Sequence, residues 1–223
     1  MQSLKIKGAI FDLDGTLLDS MHVWSEVDTQ FLRKRGIAVP RHYTASVASF
    51  SFRETARYTI EQFDLDEDED SIIAEWTAMS LDKYSSKVKL KAGAREHLEA
   101  LKAAGIKLAT ATSILPELYE PVLRNNGIYG LFDAHTFTHE AGRSKSFPDV
   151  YLLAAERLGV EPCSCVVYED LIHGIQSAAN AGFYTVAVED YASAHIASEI
   201  KTAAHLYITS FSEMRELPWQ QKN

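Results

Sequence analysis

With 223 residues, 46% hydrophobic and 24% charged, the chain has the length and apolar content for one large domain or for a core with a smaller insert. Its 31 acidic against 22 basic side chains leave a formal charge of −9. That excludes the clustered-cation footprint of a nucleic-acid binder, but not an anionic substrate, because a bound metal and one local lysine can invert the field inside a pocket. No apolar run is long enough to span a bilayer, and the first residues lead into a strand with no signal-peptide pattern, so a cytoplasmic protein without membrane partners is expected.

The first predicted element is a strand over residues 5–11. A long stretch without strand signals follows. Helices are predicted over 21–35, stopped by Gly36 with Pro40 beyond, over 52–63, and after the acidic run 64–70, where Ile72, Ile73, Trp76 and Met79 recur at helical spacing. The acids of that run suit a solvated loop whose last members favour a helix N-terminus. From Lys89 onward the pattern alternates. Helices ending at Gly105, Gly127, Gly159 and Gly182 are separated by apolar strands over 106–111, 132–138, 163–168 and 183–188, and a short last strand covers 206–209. Such alternation implies a parallel sheet covered on both faces. The expected fold is therefore a doubly wound α/β core formed by residues 1–18 and 87–223, interrupted by a helical insert over 19–86. Cys163 and Cys165 are expected to be buried free thiols rather than a disulfide or zinc site.

The chemistry concentrates where strands end. The run Ala9-Ile10-Phe11 stops in Asp12-Leu13-Asp14-Gly15-Thr16, two carboxylates one residue apart and then a glycine. Ligands of open α/β sheets bind at that end of the strands, and carboxylates there can hold a hard cation, attack as nucleophiles or move protons. Three further signals share the placement. Leu108-Ala109-Thr110-Ala111-Thr112 carries hydroxyls able to hold a phosphoryl oxygen, Lys145 stands before a helix, and Val166-Val167-Tyr168 ends in Glu169-Asp170. Helix capping competes with metal binding as the reason for Asp170.

In this order the four signals resemble the motifs of the haloacid dehalogenase-like (HAD) superfamily along essentially the whole chain. The long stretch between Asp14 and Thr110 is similar to the subclass with a helical cap after the first motif, to which β-phosphoglucomutases and phosphoglycolate phosphatases belong. The resemblance implies a HAD-like, flavodoxin-like core with a cap that closes over small substrates. It implies that Asp12 attacks phosphorus to form an aspartyl-phosphate, that Asp14 serves as acid and base, and that Mg²⁺ sits between Asp12, Asp170 and the backbone carbonyl of Asp14. Thr110, Ala111 and Lys145 would hold the phosphoryl oxygens, and Glu169 would orient Lys145 or a metal-bound water. Arg53 lies where β-phosphoglucomutases carry a phosphate-binding arginine and is a candidate grip for a second anion.

Departures from the pattern also bear on function. Lys145 is followed by Ser146 where the family often has proline, and the cap loop Ala48-Ser49-Phe50-Ser51-Phe52-Arg53 lacks the usual glycine. The mutase His-Xaa-Xaa-Ala-Trp pattern is not reproduced by His22-Val23-Trp24, and the cap lysine before Tyr84 is missing. For Phe50 and Phe52 cap packing is preferred over lining a substrate pocket, for His22 and Trp24 helix packing over contact with substrate, and for His173 an ordinary helix start over a role beside Asp170. The expectation is a monomeric, Mg²⁺-dependent phosphatase of small phosphorylated metabolites. A sugar phosphate mutase is the alternative, and a catalytically silent HAD-like binding protein is the alternative of another class.

Overall fold

The computed structural model describes residues 5–40, 43–47 and 50–215. Strand β1 (Gly8–Phe11) is followed by the two-residue strand β2 (Leu18–Asp19) and four helices, α1 (Met21–Lys34), α2 (Tyr43–Val47), α3 (Phe52–Phe63) and α4 (Glu69–Ser86). The chain returns through β3 (Lys89–Leu90), which pairs antiparallel with β2, so the helical insert leaves and re-enters at one narrow ladder. Then come α5 (Ala94–Ala103), β4 (Lys107–Thr112), α6 (Pro116–Asn125), β5 (Ala134–Phe137), α7 (Thr138–Ala141), α8 (Asp149–Leu158), β6 (Cys165–Glu169), α9 (Ile172–Asn180), β7 (Tyr184–Val188), α10 (Ala197–Ala203) and β8 (Leu206–Ile208).

Six strands form one parallel sheet in the order β5-β4-β1-β6-β7-β8. Both faces are covered, and the side-chain alternation shows it. On β1, Ala9 and Phe11 enter one apolar cluster and Ile10 the other; on β6, Val166 and Tyr168 oppose Cys165 and Val167 in the same way. Phe11 and Tyr168, Cα partners in the register, stack their rings 4.3 Å apart. The chain leaves β1 toward β4 but leaves β6 toward β7, so the connections diverge and open a crevice beyond the carboxyl ends of β1 and β6.

In the insert, Ser51 caps α3 with a full capping box to Glu54, and Asp68 caps α4 by accepting from the Ser71 N–H at 2.8 Å. The acidic run thus ends in the capping role expected of it. The two cysteines differ from expectation. Cys165 is buried in β6, but Cys163 lies in a short 3₁₀ turn and is exposed, because the strand begins two residues later than the apolar run suggests. Ala48 and Ser49 of the glycine-free loop, and residues 1–4 and 216–223, lie outside the described residues.

Candidate active site

The crevice holds a compact charged centre. Asp12 follows β1 directly, and its backbone N–H donates to the Tyr168 carbonyl at 3.0 Å, which extends the β1–β6 ladder by one step and fixes the carboxylate beside the end of β6. Carboxylate oxygens of Asp12, Glu169 and Asp170 all lie within 4.8 Å of one another, and all three residues are buried. Lys145, on the loop between α7 and α8, places its ammonium between Asp12 and Glu169, with Glu169 Oε1 at 2.5 Å.

The acids are not equivalent. Glu169 has both oxygens engaged. Oε1 accepts from Lys145 and, at 2.9 Å, from the Tyr151 hydroxyl, while Oε2 accepts from the backbone N–H groups of Asp170 and Leu171 at 3.0 and 3.1 Å. Gly174 makes room for this, since a Cβ there would stand 2.7 Å from the Glu169 carboxyl carbon. Asp170 is different. Its Oδ1 accepts from Thr16 at 3.0 Å, while Oδ2 is buried without a hydrogen-bond partner among the described residues. Asp170 does not cap α9, whose N-cap is Leu171. A buried carboxylate oxygen without a donor is costly unless something positive meets it. Gly15, at φ +80°, faces that oxygen, and a Cβ there would collide with it. An all-oxygen donor set with one unsatisfied carboxylate fits a hard divalent cation.

Electrostatics tell the same story. Burial pushes the Asp12 carboxyl up to about 7, with the Lys145 charge opposing and Glu169 adding to the rise. Burial, then Glu169 and Asp12, raise Asp170 well above the ordinary carboxylate range. Burial works against the Lys145 ammonium, but Asp12 and Glu169 together hold its pKa above the usual lysine value. One cation among three acids leaves the centre short of positive charge.

Asp14 faces elsewhere. Its Oδ1 accepts from Ser20 and Tyr84 hydroxyls, each at 2.6 Å, and its Oδ2 from the Trp24 indole at 3.2 Å. Burial raises its pKa against these donors. The side chain of Asp14 is therefore not part of the three-carboxylate cluster, and only its main chain is left to serve as a ligand there. Trp24 and Tyr84 come from α1 and α4, so the insert itself holds this carboxylate.

Above the charged centre lies a cavity of about 510 Å³, within the range of small-molecule sites. Its lining joins Asp12, Asp14, Lys145 and Asp170 to insert residues that include Trp24, Asp28, Phe50, Phe52 and Trp76. Three sequence expectations fail here. Thr110 and Ala111 do not reach the cavity, whereas Thr112 and Ser113 do. The strand runs on through Thr112, so Thr110 sits one pleat short of the crevice, where its hydroxyl meets Tyr119 at 2.8 Å, and Ala111 packs in the apolar core. Arg53 also stands away from the cavity, exposed on α3 and paired with Glu69 at 2.9 Å and Asp70 at 2.6 Å. Phe50 and Phe52, only half-buried, line the cavity, as does exposed His173, while His22 is exposed outside it. Ser20, Tyr84, Tyr151 and Thr112 carry contacts that sequence reasoning missed. Only Thr112 had a signal, as the last hydroxyl of its strand.

Three comparisons bear on this arrangement. A family model described as haloacid dehalogenase-like hydrolase matches residues 6–182. The chain is 32% identical over 207 residues to hexitol phosphatase A of Escherichia coli, covering 91% of this chain and 92% of that protein. It is 28% identical over 177 residues to a phosphorylated carbohydrates phosphatase of Thermotoga maritima, covering 79% and 82%. CbbY from Rhodobacter sphaeroides, solved in complex with phosphate, superposes with a TM-score of 0.85 at 22% identity, over 96% of this chain and 98% of that one, a likeness of fold.

Proposed function

The chain belongs to the haloacid dehalogenase-like hydrolases, and from that premise we propose that it hydrolyses small phosphomonoesters of sugars or sugar alcohols, with Mg²⁺, through an aspartyl-phosphate on Asp12. The observation that carries this reading is the buried cluster of Asp12, Glu169 and Asp170 around Lys145, with one oxygen of Asp170 left without a donor. The relatives' names, hexitol and carbohydrate phosphatases, point to the same substrate class. Helices α1 to α4, residues 19–86, would act as a cap over the core.

Asp12 and Asp170 would hold the cation, with the main-chain oxygen of Asp14 as a further donor. Bound there, the cation supplies the positive charge that the centre lacks and offsets charge on the phosphoryl oxygens. Asp12 attacks phosphorus in line with the departing oxygen, the phosphorus–oxygen bond to the leaving group breaks, and an aspartyl-phosphate, an acyl phosphate, forms. Lys145 neutralises a phosphoryl oxygen while Glu169, fixed by Tyr151 and two backbone N–H groups, keeps the ammonium in place. Thr112 and the backbone near Ser113 take the place first assigned to Thr110 and Ala111. Asp14, with a raised pKa, gives its proton to the leaving oxygen and then receives one from the water that cleaves the acyl phosphate.

The test is phosphate release from a panel of sugar, sugar alcohol and other phosphomonoesters, with Mg²⁺ and with excess EDTA. Release that requires the metal supports the reading. A panel without release, or release unaffected by EDTA, overturns it. Conversion of β-glucose 1-phosphate to glucose 6-phosphate in the presence of trace bisphosphate, without phosphate release, would make the protein a mutase.

Asp14→Asn tests the proton assignment separately. Turnover should fall by about 10²- to 10⁴-fold for an alkyl phosphate. Loss should be smaller for the first step with p-nitrophenyl phosphate, whose leaving oxygen needs no proton. A rapid-quench burst of p-nitrophenol followed by slow turnover would show the trapped phosphoenzyme, and equal losses in both steps for both substrates would rule out the acid role.

A further inference from the structure

Among the described residues on the insert side of the cavity, one charged side chain is not used by the mechanism. Asp28 lies one helical turn beyond Trp24 on α1, so both side chains share the face that looks into the cavity. It is half-buried, and no hydrogen bond or ion pair with another described residue engages its carboxylate; burial raises its pKa to about 7. The same cavity wall carries the rings of Trp24, Phe50, Phe52 and Trp76, with Trp24 and Phe52 edge to face at 5.2 Å and Phe52 and Trp76 at 6.3 Å.

The charge inventory of the lining narrows what can bind. The acids are Asp12, Asp14, Asp28 and Asp170, and Lys145 is the one lysine or arginine among the described lining residues, already committed to Asp12 and Glu169. Among the described lining residues, a leaving group with a second phosphate or a carboxylate would meet no free lysine or arginine, only the imidazoles of His173 and His195 on the core side, and on the insert side it would face Asp28. Arg53, which could have met it, is tied to Glu69 and Asp70 outside the cavity. Apolar ring faces beside a lone acceptor suit instead a neutral carbon chain or ring whose C–H faces stack while its hydroxyls donate.

Building on the phosphatase reading, we propose that Asp28 is the specificity-determining residue of this cavity. Its carboxylate accepts hydroxyl hydrogens from a neutral, polyhydroxylated leaving group stacked on the insert's aromatic rings, and it disfavours leaving groups that carry a second anion. A site built around a buried acceptor discriminates strongly, because a ligand without the matching donor leaves that acceptor unpaired.

The experiment compares wild type with Asp28→Asn, equal in size but uncharged, on glucitol 6-phosphate, p-nitrophenyl phosphate and 2-phosphoglycolate, with Mg²⁺. The variant should raise KM for glucitol 6-phosphate roughly tenfold, the worth of one hydrogen bond to a charged group. The ratio of kcat/KM for phosphoglycolate over glucitol 6-phosphate should rise by at least as much. An unchanged KM for glucitol 6-phosphate, or equal loss on all three substrates, overturns the proposal while the phosphatase reading stands. A wild type preference for glucosamine 6-phosphate over glucose 6-phosphate that the variant loses would also overturn it, in favour of an ammonium ligand. If wild type hydrolyses none of the esters, the phosphatase reading fails. Quenching of Trp24 and Trp76 fluorescence by glucitol 6-phosphate then decides the role of Asp28: weaker binding by the variant supports it, and equal binding overturns it.

Discussion

Asp12→Asn should abolish turnover and leave the fold intact. An amide oxygen is too weak a nucleophile to form the acyl phosphate, so kcat should drop by at least about 10⁴-fold, the scale seen when a covalent nucleophile is removed. The structural side of the expectation is less obvious. Asp12 is paired with Lys145, and breaking a buried pair is usually expensive. Here the partner is not orphaned, because Lys145 keeps Glu169 at 2.5 Å. Asp12 also carries a net penalty for its charge, since burial and Glu169 raise its pKa to about 7 in spite of Lys145. Removing that charge relieves Asp170 and Glu169 of a near neighbour. The melting temperature of the metal-free variant should therefore equal or exceed that of wild type at pH 8. Retention of substantial activity would end the covalent mechanism, and a large drop in melting temperature would show that the pair is worth more to the fold than this balance allows.

Much of the architecture could be read from periodicity. Four of the five strands of the main sheet after the insert appear as apolar runs following helices that stop at glycine, β8 appears as a short apolar run alone, and α3 occupies the residues its pattern marks, Phe52–Phe63. The elements missed are short ones, the two-residue strands β2 and β3, the five-residue helix α2, the four-residue helix α7 and the seven-residue helix α10. Within the site, the carboxylates stood out because charged groups at the end of an apolar run have few structural reasons to be there, whereas Lys145, in a polar segment before a helix, was singled out by the resemblance. Thr110 was misjudged because a run of apolar and hydroxyl residues does not say where its hydrogen bonding ends. The ladder pairs Thr112 with Phe137 of β5 and so carries the strand to the crevice. The division of labour between Glu169 and Asp170 was not legible at all. It depends on Tyr151 from α8 and on the space above Gly174, which only the packed structure brings together. Asp28 belongs to no sequence motif, and its interest arises from the cavity that it lines together with aromatic rings of the insert.

Lys145→Met should be the most destabilising change in the site, and its cost should depend on pH. The methionine fills similar volume but leaves Asp12, Glu169 and Asp170 within 4.8 Å of one another with no ammonium. Removing one partner of a buried charge cluster costs about 3–5 kcal/mol. The acids can escape part of that cost by taking up protons. A carboxyl whose pKa is raised in the folded state binds its proton more tightly there than when unfolded, so folding is favoured at low pH and loses stability as pH rises from the unfolded value toward the folded one. For Asp12 that window already runs from 3.8 to about 7 in the wild type, and loss of Lys145, which pulls the value down, pushes its upper edge higher. The deficit of the variant should therefore be small near pH 5 and largest at pH 8 in metal-free buffer. Denaturant melts of both proteins at the two pH values measure it, and an equal deficit at both would mean that packing rather than charge sets the cost. Adding Mg²⁺ at pH 8 should narrow the gap, because a cation on Asp12 and Asp170 returns part of the missing charge. It should not restore turnover, because in the proposed mechanism Lys145 meets a phosphoryl oxygen, a contribution on the order of 10²- to 10³-fold. Recovery of stability without recovery of activity would separate the two roles of this lysine, structural cation and phosphoryl ligand.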